Sequence, residues 1–325
     1  MRERECLAAW DIGASHVRFR VETLTGEVLE SQRFVFREAS TSVEELRSNT
    51  ASVWREFATL DTRLVRAAVG CAAIFDRRTG VVTRWPNRPS WAGLRIQSLL
   101  NAWLGLPVVL EDDATCAVVG EHVWGAGRGI DDFAMVVAGT GVGCGLVLGG
   151  RLYRGSGGRA GELGHVPIGS GQTCTCGNVG CLQAVASGPA IAVTYLRRGG
   201  TLGRAGDARE VAERAAHGEM LAREVLSDAA KQLGHAIAGL SLLLDLQTVI
   251  LGGGVVTAGP LFVDGVRAGT QAWLHSWHRG LRIDVGELGD EAGVRGAMSL
   301  VSADSPGYPA ASSSSQHRIT EGVLP

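Results

Sequence analysis

The chain has 325 residues, 45% of them hydrophobic, and a formal net charge of −2, a balance that gives no reason to expect nucleic acid or an anionic membrane as a partner. No apolar run approaches the roughly 20 residues that a membrane span requires. Seven cysteines, an odd count with no secretory leader ahead of them, point to reduced thiols in a soluble, cytoplasmic protein. The length suits two moderate cores better than one, so two lobes are expected.

In chain order, Leu7 to Asp11 reads as a buried strand ending in the turn Gly13-Ala-Ser15. His16–Val21 and Val28–Phe36 alternate as a meander around Thr25-Gly26. Helical spacing follows over Ser42 to Leu60, with Ser42 and Glu45 forming a capping box. Arg66–Cys71 and Val108–Leu110 are short buried strands separated by a helix that begins near Trp91, and Ala114–Trp124 is a helix. Phe133–Ala138 and Gly143–Leu148 are strands on either side of a glycine loop. Beyond residue 181 the chain is mainly helical, including Glu219 to Leu244, then returns to strands at Thr248–Leu251 and Leu281–Val285 and a helix near Glu291–Val301. The segment 303–325 is too poor in apolar residues to offset its ordering entropy and is expected to be disordered. No internal repeat is visible, although two similar α/β lobes fit this order of elements.

Three strand-end turns suggest phosphate chemistry. Asp11-Ile-Gly13-Ala-Ser15 combines a carboxylate suited to hydrated Mg2+, a glycine that admits an anion, and a hydroxyl, though an ordinary hairpin turn has the same composition. Gly139-Thr140-Gly141-Val142-Gly143 joins two apolar strands and offers backbone N–H groups and the Thr140 hydroxyl. It lacks the lysine of a Walker A loop and does not open a helix as a dinucleotide fingerprint does. Gly252, Gly253 and Gly254 after Val249–Leu251 mark a third close backbone approach, as needed against a nucleobase or ribose.

Glu111-Asp112-Asp113 puts adjacent carboxylates at a strand C-terminus, the ligand edge of an α/β sheet, where one can accept a proton from an attacking hydroxyl while another caps the next helix. The most specific stretch runs from Glu162 and His165 to Cys174, Cys176 and Cys181. Three thiolates in C-x-C-G-x-x-G-C spacing and one imidazole can close a tetrahedral zinc shell, which would hold a binding site in shape rather than perform the reaction. If one His165 nitrogen binds metal, the other is fixed as a hydrogen-bond donor.

These motifs resemble the ROK family (repressors, open reading frames and kinases), whose kinases carry D-x-G-G-T, E-N-D-A-N, G-T-G-x-G, G-x-x-G-x-A-G-E-x-G-H and C-x-C-G-x-x-G-C in this order, then a late glycine run. The resemblance covers roughly residues 7 to 301 and is most specific over Gly155–Cys181. It implies an α/β chain with the two-lobed actin/hexokinase-like (ribonuclease H-like) ATPase fold and a zinc knuckle. The small lobe would span 1–113 and be completed by the helix at about 291–301; the large lobe would span 114–290, with the knuckle at 165–181. It implies ATP-dependent phosphorylation of a sugar 6-hydroxyl, with Asp113 as general base, Glu162 and His165 on ring hydroxyls, and His165, Cys174, Cys176 and Cys181 on structural Zn2+. Asp11, Gly13, Ser15, Gly139, Thr140, Gly141 and Gly143 would surround the phosphates of Mg-ATP, with Gly252 to Gly254 near the adenosine. A homodimer is expected on the same ground.

The chain departs from the family pattern at four places. Ala14 replaces a glycine, and Gly70–Asp76 lacks a Pro-Gly in a loop that faces the sugar. Asp112 and Thr115 replace asparagines, and Gln183 replaces a glutamate near the sugar's anomeric end. An amide donates and accepts, whereas a carboxylate only accepts, which suits an ammonium. Asp112 therefore suggests a 3-amino sugar such as kanosamine (3-amino-3-deoxyglucose), hence secondary metabolism, with an ordinary glucokinase and a kinase for a C7 cyclitol as alternatives. Family repressors add a DNA-binding segment ahead of the sugar module; only ten residues precede Asp11, and no basic recognition helix is visible, so nucleic acid is not expected as a partner. A non-catalytic sugar sensor is a further alternative, opposed by the presence of Asp113, Glu162 and His165.

Overall fold

The strand His16–Thr23 (β2) alternates strictly, with Val17, Phe19, Val21 and Thr23 buried and the residues between them at most half-buried, the mark of a strand with one covered face. Its neighbour Arg4–Ile12 (β1) is buried continuously from Cys6 to Ile12, because both of its faces are covered. The computed structural model describes residues 4–13, 16–35, 47–48, 62–85, 88–203, 206–278 and 280–302. The expected helix over Ser42 to Leu60 falls almost wholly outside them, and the expected disordered tail, 303–325, falls wholly outside them.

The first sheet is completed by Val28–Val35 (β3), Thr62–Cys71 (β4) and Val108–Asp112 (β7), in the order β3-β2-β1-β4-β7. β1 runs antiparallel to β2 and parallel to β4, and β4 runs parallel to β7. Between β4 and β7 lie a small hairpin, Ile74–Asp76 (β5) with Val81–Arg84 (β6), and the helix Ile96–Leu104 (α1). The hairpin turn is closed by Asp76, whose Oδ1 accepts from Thr79 N at 2.8 Å and from its hydroxyl at 2.9 Å. The helix expected near Trp91 starts only at Ile96, since Pro89–Trp91 forms a single 3-10 turn and Gly93 takes φ +85°.

Helix α2 (Asp113–Trp124) leads into a second sheet built from Phe133–Ala138 (β8), Val142–Leu148 (β9), Arg151–Leu152 (β10), Thr248–Gly252 (β11) and Arg282–Val285 (β12). Its order is β10-β9-β8-β11-β12, with β8 antiparallel to β9 and parallel to β11. Each sheet therefore has a central first strand, two antiparallel strands on one side and two parallel strands on the other. Two lobes with one topology explain the absence of a visible repeat in the sequence: strand order constrains connections and burial, not residue identity. Between β10 and β11 come Gln183–Ala186 (α3), Gly188–Arg197 (α4), Ala208–Ala216 (α5) and Met220–Leu244 (α6); Pro260–Gln271 (α7) links β11 to β12, and Ala292–Ser299 (α8) follows.

One core lies in each lobe, and a third is shared between them. The shared core gathers Leu7, Ala9 and Ala68 from the first sheet, Phe133, Met135 and Ile250 from the second, and apolar residues of α2 and α8. Those two helices cross with backbones in contact: a Cβ at Gly296 would lie 1.7 Å from Cys116 O, and one at Gly120 would lie 2.2 Å from Ala292 O. Glu121, fully buried on α2, accepts from Ala126 N and Glu287 N at Oε2 (2.8 and 3.2 Å) and from Leu288 N at Oε1 (2.9 Å). This one carboxylate ties the approach to α8 onto α2. No helix among the described residues is long and apolar enough to cross a membrane.

Candidate active site

A cavity of about 780 Å³ opens where the end of β7, the β8–β9 turn, the segment Gly158–His165 and the cysteine-rich stretch face one another. Strand β7 ends at Asp112 and α2 begins at Asp113, so both carboxylates sit at a strand-to-helix junction and line the cavity. Asp112 is the cap: its Oδ1 accepts from Thr115 N at 2.8 Å, and Oδ2 bonds the Thr115 hydroxyl. Asp113, one residue on, makes no ion pair among the described residues and accepts from Ala114 N at 2.8 Å. Burial raises its proton affinity and Glu162 adds to this, while backbone N–H groups at the helix start oppose both. Asp112 is pushed up to about 7 by burial and then by the charge of Glu111, with Asp113 contributing; the bonds from Thr115 work against the shift.

Glu111 does not line the cavity. It is buried beneath it, where desolvation alone would raise its pKa, but Arg77 and Arg154 hold it below the ordinary carboxylate range. Arg77 Nη2 bonds Glu111 Oε1 and reaches Asp112 Oδ2 at 3.1 Å, and Arg154 Nε donates to Glu111 Oε2 at 2.7 Å. Arg77 Nε also donates to Gly158 O at 2.6 Å, so the first-lobe hairpin is fastened to the second lobe across the cavity wall. Gly158 takes φ +71°, and a Cβ there would lie 2.0 Å from Arg77 Cδ. Sequence reading passes over Arg77 because an arginine in the turn of a short hairpin carries no local signal; its partners are 34 to 81 residues away.

The glycine loop is a tight hairpin turn, closed by Gly139 N donating to Gly141 O at 2.8 Å, and Gly139, Thr140, Gly141 and Gly143 all line the cavity. Gly252 to Gly254 stand behind this turn and are not among the cavity-lining residues: Gly253 has φ +90°, and a Cβ there would lie 2.4 Å from Ala138 O. The third turn is partly described. Asp11 is buried and not among the cavity-lining residues; Gly13 N donates to His16 O at 2.9 Å, and Ser15 lies outside the described residues. Burial first, then the neighbouring Asp113 charge, push Asp11 up to about 7 against the pull of Arg18, whose Nη1 is 3.6 Å from Asp11 Oδ2.

His165, Cys174, Cys176 and Cys181 bring their donor atoms within 4.8 Å of one another. Cys176 Sγ is 3.6 Å from Cys181 Sγ, and Cys174 Sγ is 3.8 Å from His165 Nδ1. A tetrahedral zinc site with Zn–S bonds of about 2.3 Å has edges of about 3.8 Å, so the donor set and its spacing fit that ion. His165 Nδ1 faces the sulfurs, while Nε2 lies 3.9 Å from Glu162 Oε2. Metal on Nδ1 would fix Nε2–H as a donor toward Glu162 and the cavity. Gln183 also lines the cavity, and its side chain contacts both the knuckle and the β8–β9 turn. Arg84 of β6 donates to Cys176 O at 2.5 Å and to Thr175 O, a second link from the hairpin to the other lobe.

Two lobes of one topology, with strand-end carboxylates and a glycine turn lining the cleft, form the actin/hexokinase-like fold, and the relatives below make the chain a sugar kinase that phosphorylates an alcohol group. The chain belongs to the ROK family, whose model matches residues 7–304. It is 30% identical over 314 residues to a glucokinase of Streptomyces coelicolor, a match covering 91% of this chain and 97% of that one. It is 26% identical over 319 residues to a putative xylose repressor of Caldicellulosiruptor, covering 92% of this chain and 78% of the repressor. The crystal structure of a ROK family glucokinase from Streptomyces griseus in complex with glucose and AMPPNP superposes with a TM-score of 0.78 at 27% identity, covering 91% and 98% of the two chains.

Proposed function

We propose that this chain transfers the terminal phosphoryl group of Mg-ATP to the 6-hydroxyl of a glucose-like hexose, with Asp113 as general base. The observation that carries the reading is Asp113 itself, a carboxylate at a strand-to-helix junction, in the wall of the cavity that the glycine turn also lines and without an ion-pair partner among the described residues. As the hydroxyl oxygen attacks the γ-phosphorus and the bond to the β-phosphate oxygen breaks, Asp113 takes the hydroxyl proton; the products are a sugar 6-phosphate and ADP. Alignment and charge neutralisation do most of the work in such a transfer. The glycine turn offers backbone N–H groups to the phosphates, other than those of Gly139 and Val142, which are bonded to Gly141 O and Gln183 Oε1, and Glu162 with His165 orients the ring. Asp11, buried and incompletely neutralised by Arg18, has the character of a Mg2+ ligand, and bound Mg2+ would offset phosphate charge. His165, Cys174, Cys176 and Cys181 would hold Zn2+ as a structural ion.

For the acceptor, the reading is an amino sugar, 3-amino-3-deoxyglucose. Asp112 lines the cavity as an acceptor when ionised, and the neighbouring carboxylates Glu111 and Asp113 that raise its proton affinity also favour an ammonium beside it. A charge-assisted bond of this kind contributes about 1.5–3 kcal/mol, roughly ten- to hundredfold in selection. One observation favours a neutral hexose instead: Arg77 and Thr115 already occupy Asp112 Oδ2. ADP release measured with glucose and with 3-amino-3-deoxyglucose separates the two. A higher kcat/KM for the amino sugar, lost in Asp112→Asn, supports the first; a glucose preference that Asp112→Asn leaves unchanged supports the second. No ADP release from any hexose would overturn the kinase reading.

A further inference from the structure

Gln183 opens helix α3 two residues after the last knuckle cysteine, and both ends of its side-chain amide are engaged. Oε1 accepts from Val142 N at 3.1 Å, the first residue of β9 and the end of the glycine turn. Gly141 sits against the same oxygen, where a Cβ would come within 2.9 Å. Nε2 donates to Thr175 Oγ1 at 2.8 Å and lies 4.0 Å from Cys174 Sγ. A carboxamide suits this position for a chemical reason. It accepts from a backbone N–H at one end and donates at the other, toward a hydroxyl and a sulfur that becomes an acceptor once it is a thiolate. A carboxylate would set a second negative acceptor against that sulfur.

We propose that Gln183 is a positioning residue that couples the metal knuckle to the phosphate turn, so that zinc and nucleotide each raise the affinity of the chain for the other. The path is short and contiguous. Bound zinc would immobilise Cys174, one of its four ligands, and with it Thr175; Thr175 orients Nε2 of Gln183; the rigid amide plane then fixes Oε1, and Oε1 holds Val142 N at the end of the turn. A turn already held in place loses less conformational freedom when phosphates bind its N–H groups. By linkage the same factor acts in the other direction. The inference rests on the reading above that the turn binds nucleotide phosphates and the knuckle binds zinc.

The test uses the full-length, zinc-loaded protein. Zinc affinity is measured by competition with a zinc-selective chromophoric chelator, with and without saturating Mg-AMPPNP, and nucleotide affinity by calorimetry with and without zinc. The expected result is a factor of about fivefold or more in both measurements. In Gln183→Ala, and in Gln183→Glu, which keeps the acceptor but loses the donor, the factor falls below about twofold. A merely structural Gln183 would lower both affinities in the variants and leave their ratio unchanged, which overturns the proposal. Wild-type protein that binds both ligands with no mutual effect overturns it as well, and this arm does not depend on any variant folding. Wild-type protein that binds no zinc or no AMPPNP overturns the site reading and the coupling together.

Discussion

Replacing Glu121 by glutamine changes one atom type and little volume, and the structure sets the size of the effect. Three backbone N–H groups converge on the carboxylate, two at Oε2 and one at Oε1. A glutamine keeps one oxygen, so its lower-energy orientation faces Ala126 N and Glu287 N and turns the NH2 group toward Leu288 N, a donor against a donor. The loss is one charge-assisted bond, and the two that remain are weakened because the acceptor is neutral; at about 1.5–3 kcal/mol for the lost bond, a total near 2–3 kcal/mol is expected. Glu121→Ala leaves all three donors without a protein acceptor and opens space that Gly125 and Gly286 border, with a Cβ at either lying 2.0 or 2.6 Å from the carboxylate oxygens. Water can enter that polar space, so about 3–5 kcal/mol is expected rather than the full sum. For a chain of this size these figures correspond to a fall of roughly 3–5 °C in Tm for glutamine and roughly 4–8 °C for alanine, read by differential scanning calorimetry. A glutamine variant melting within about 1 °C of wild type would refute the reasoning, because the carboxylate would then not be holding the approach to α8.

Asp113→Ala is expected to lower kcat by about 10²–10⁴-fold in a coupled ADP-release assay while far-ultraviolet circular dichroism stays unchanged; near-normal turnover rules out its role as base. Because Asp112 is raised to about 7, it is protonated below that pH and ionised above it. The kcat/KM ratio of amino sugar to glucose should therefore rise as pH increases through 7 and fall as pH drops, and Asp112→Asn should flatten the profile. Cys176→Ser should reduce zinc, measured by atomic emission, from one ion per chain toward none, lower Tm by several degrees and raise KM for the sugar through His165. Arg77→Met leaves the buried Glu111 with Arg154 alone, so a loss of about 2–4 kcal/mol is expected in urea unfolding, together with a higher sugar KM.

What could be read in the sequence depended on how far apart the partners lie. The knuckle is legible because its three cysteines fall within eight residues, where covalent spacing alone limits the geometry. Strand β2 is legible from period-two burial and β1, β8 and β9 from short apolar runs bounded by turns, both of them local signals, and their observed bounds differ from the expected ones by only a few residues. The hairpin β5–β6 escaped because strands of three and four residues carry too little pattern. Arg77 and Arg154, and their pairing with Glu111, escaped for another reason: each pairs across many residues of intervening chain, and a charge in a loop is ordinarily solvated. Gln183 was noticed only as a change near the sugar, since nothing in its neighbours indicates that both ends of its amide are engaged.

The shared core imposes an order on biosynthesis. Leu7, Ala9 and Ala68 leave the ribosome early, yet the face they form is closed by Val294, Ala297, Met298 and Leu300, which are made last. Until then the nascent first lobe presents an uncovered apolar sheet, a surface prone to stick to other chains. Truncation before residue 292 should therefore yield insoluble material rather than a stable half-molecule, so the amino-terminal lobe is not an autonomous folding unit.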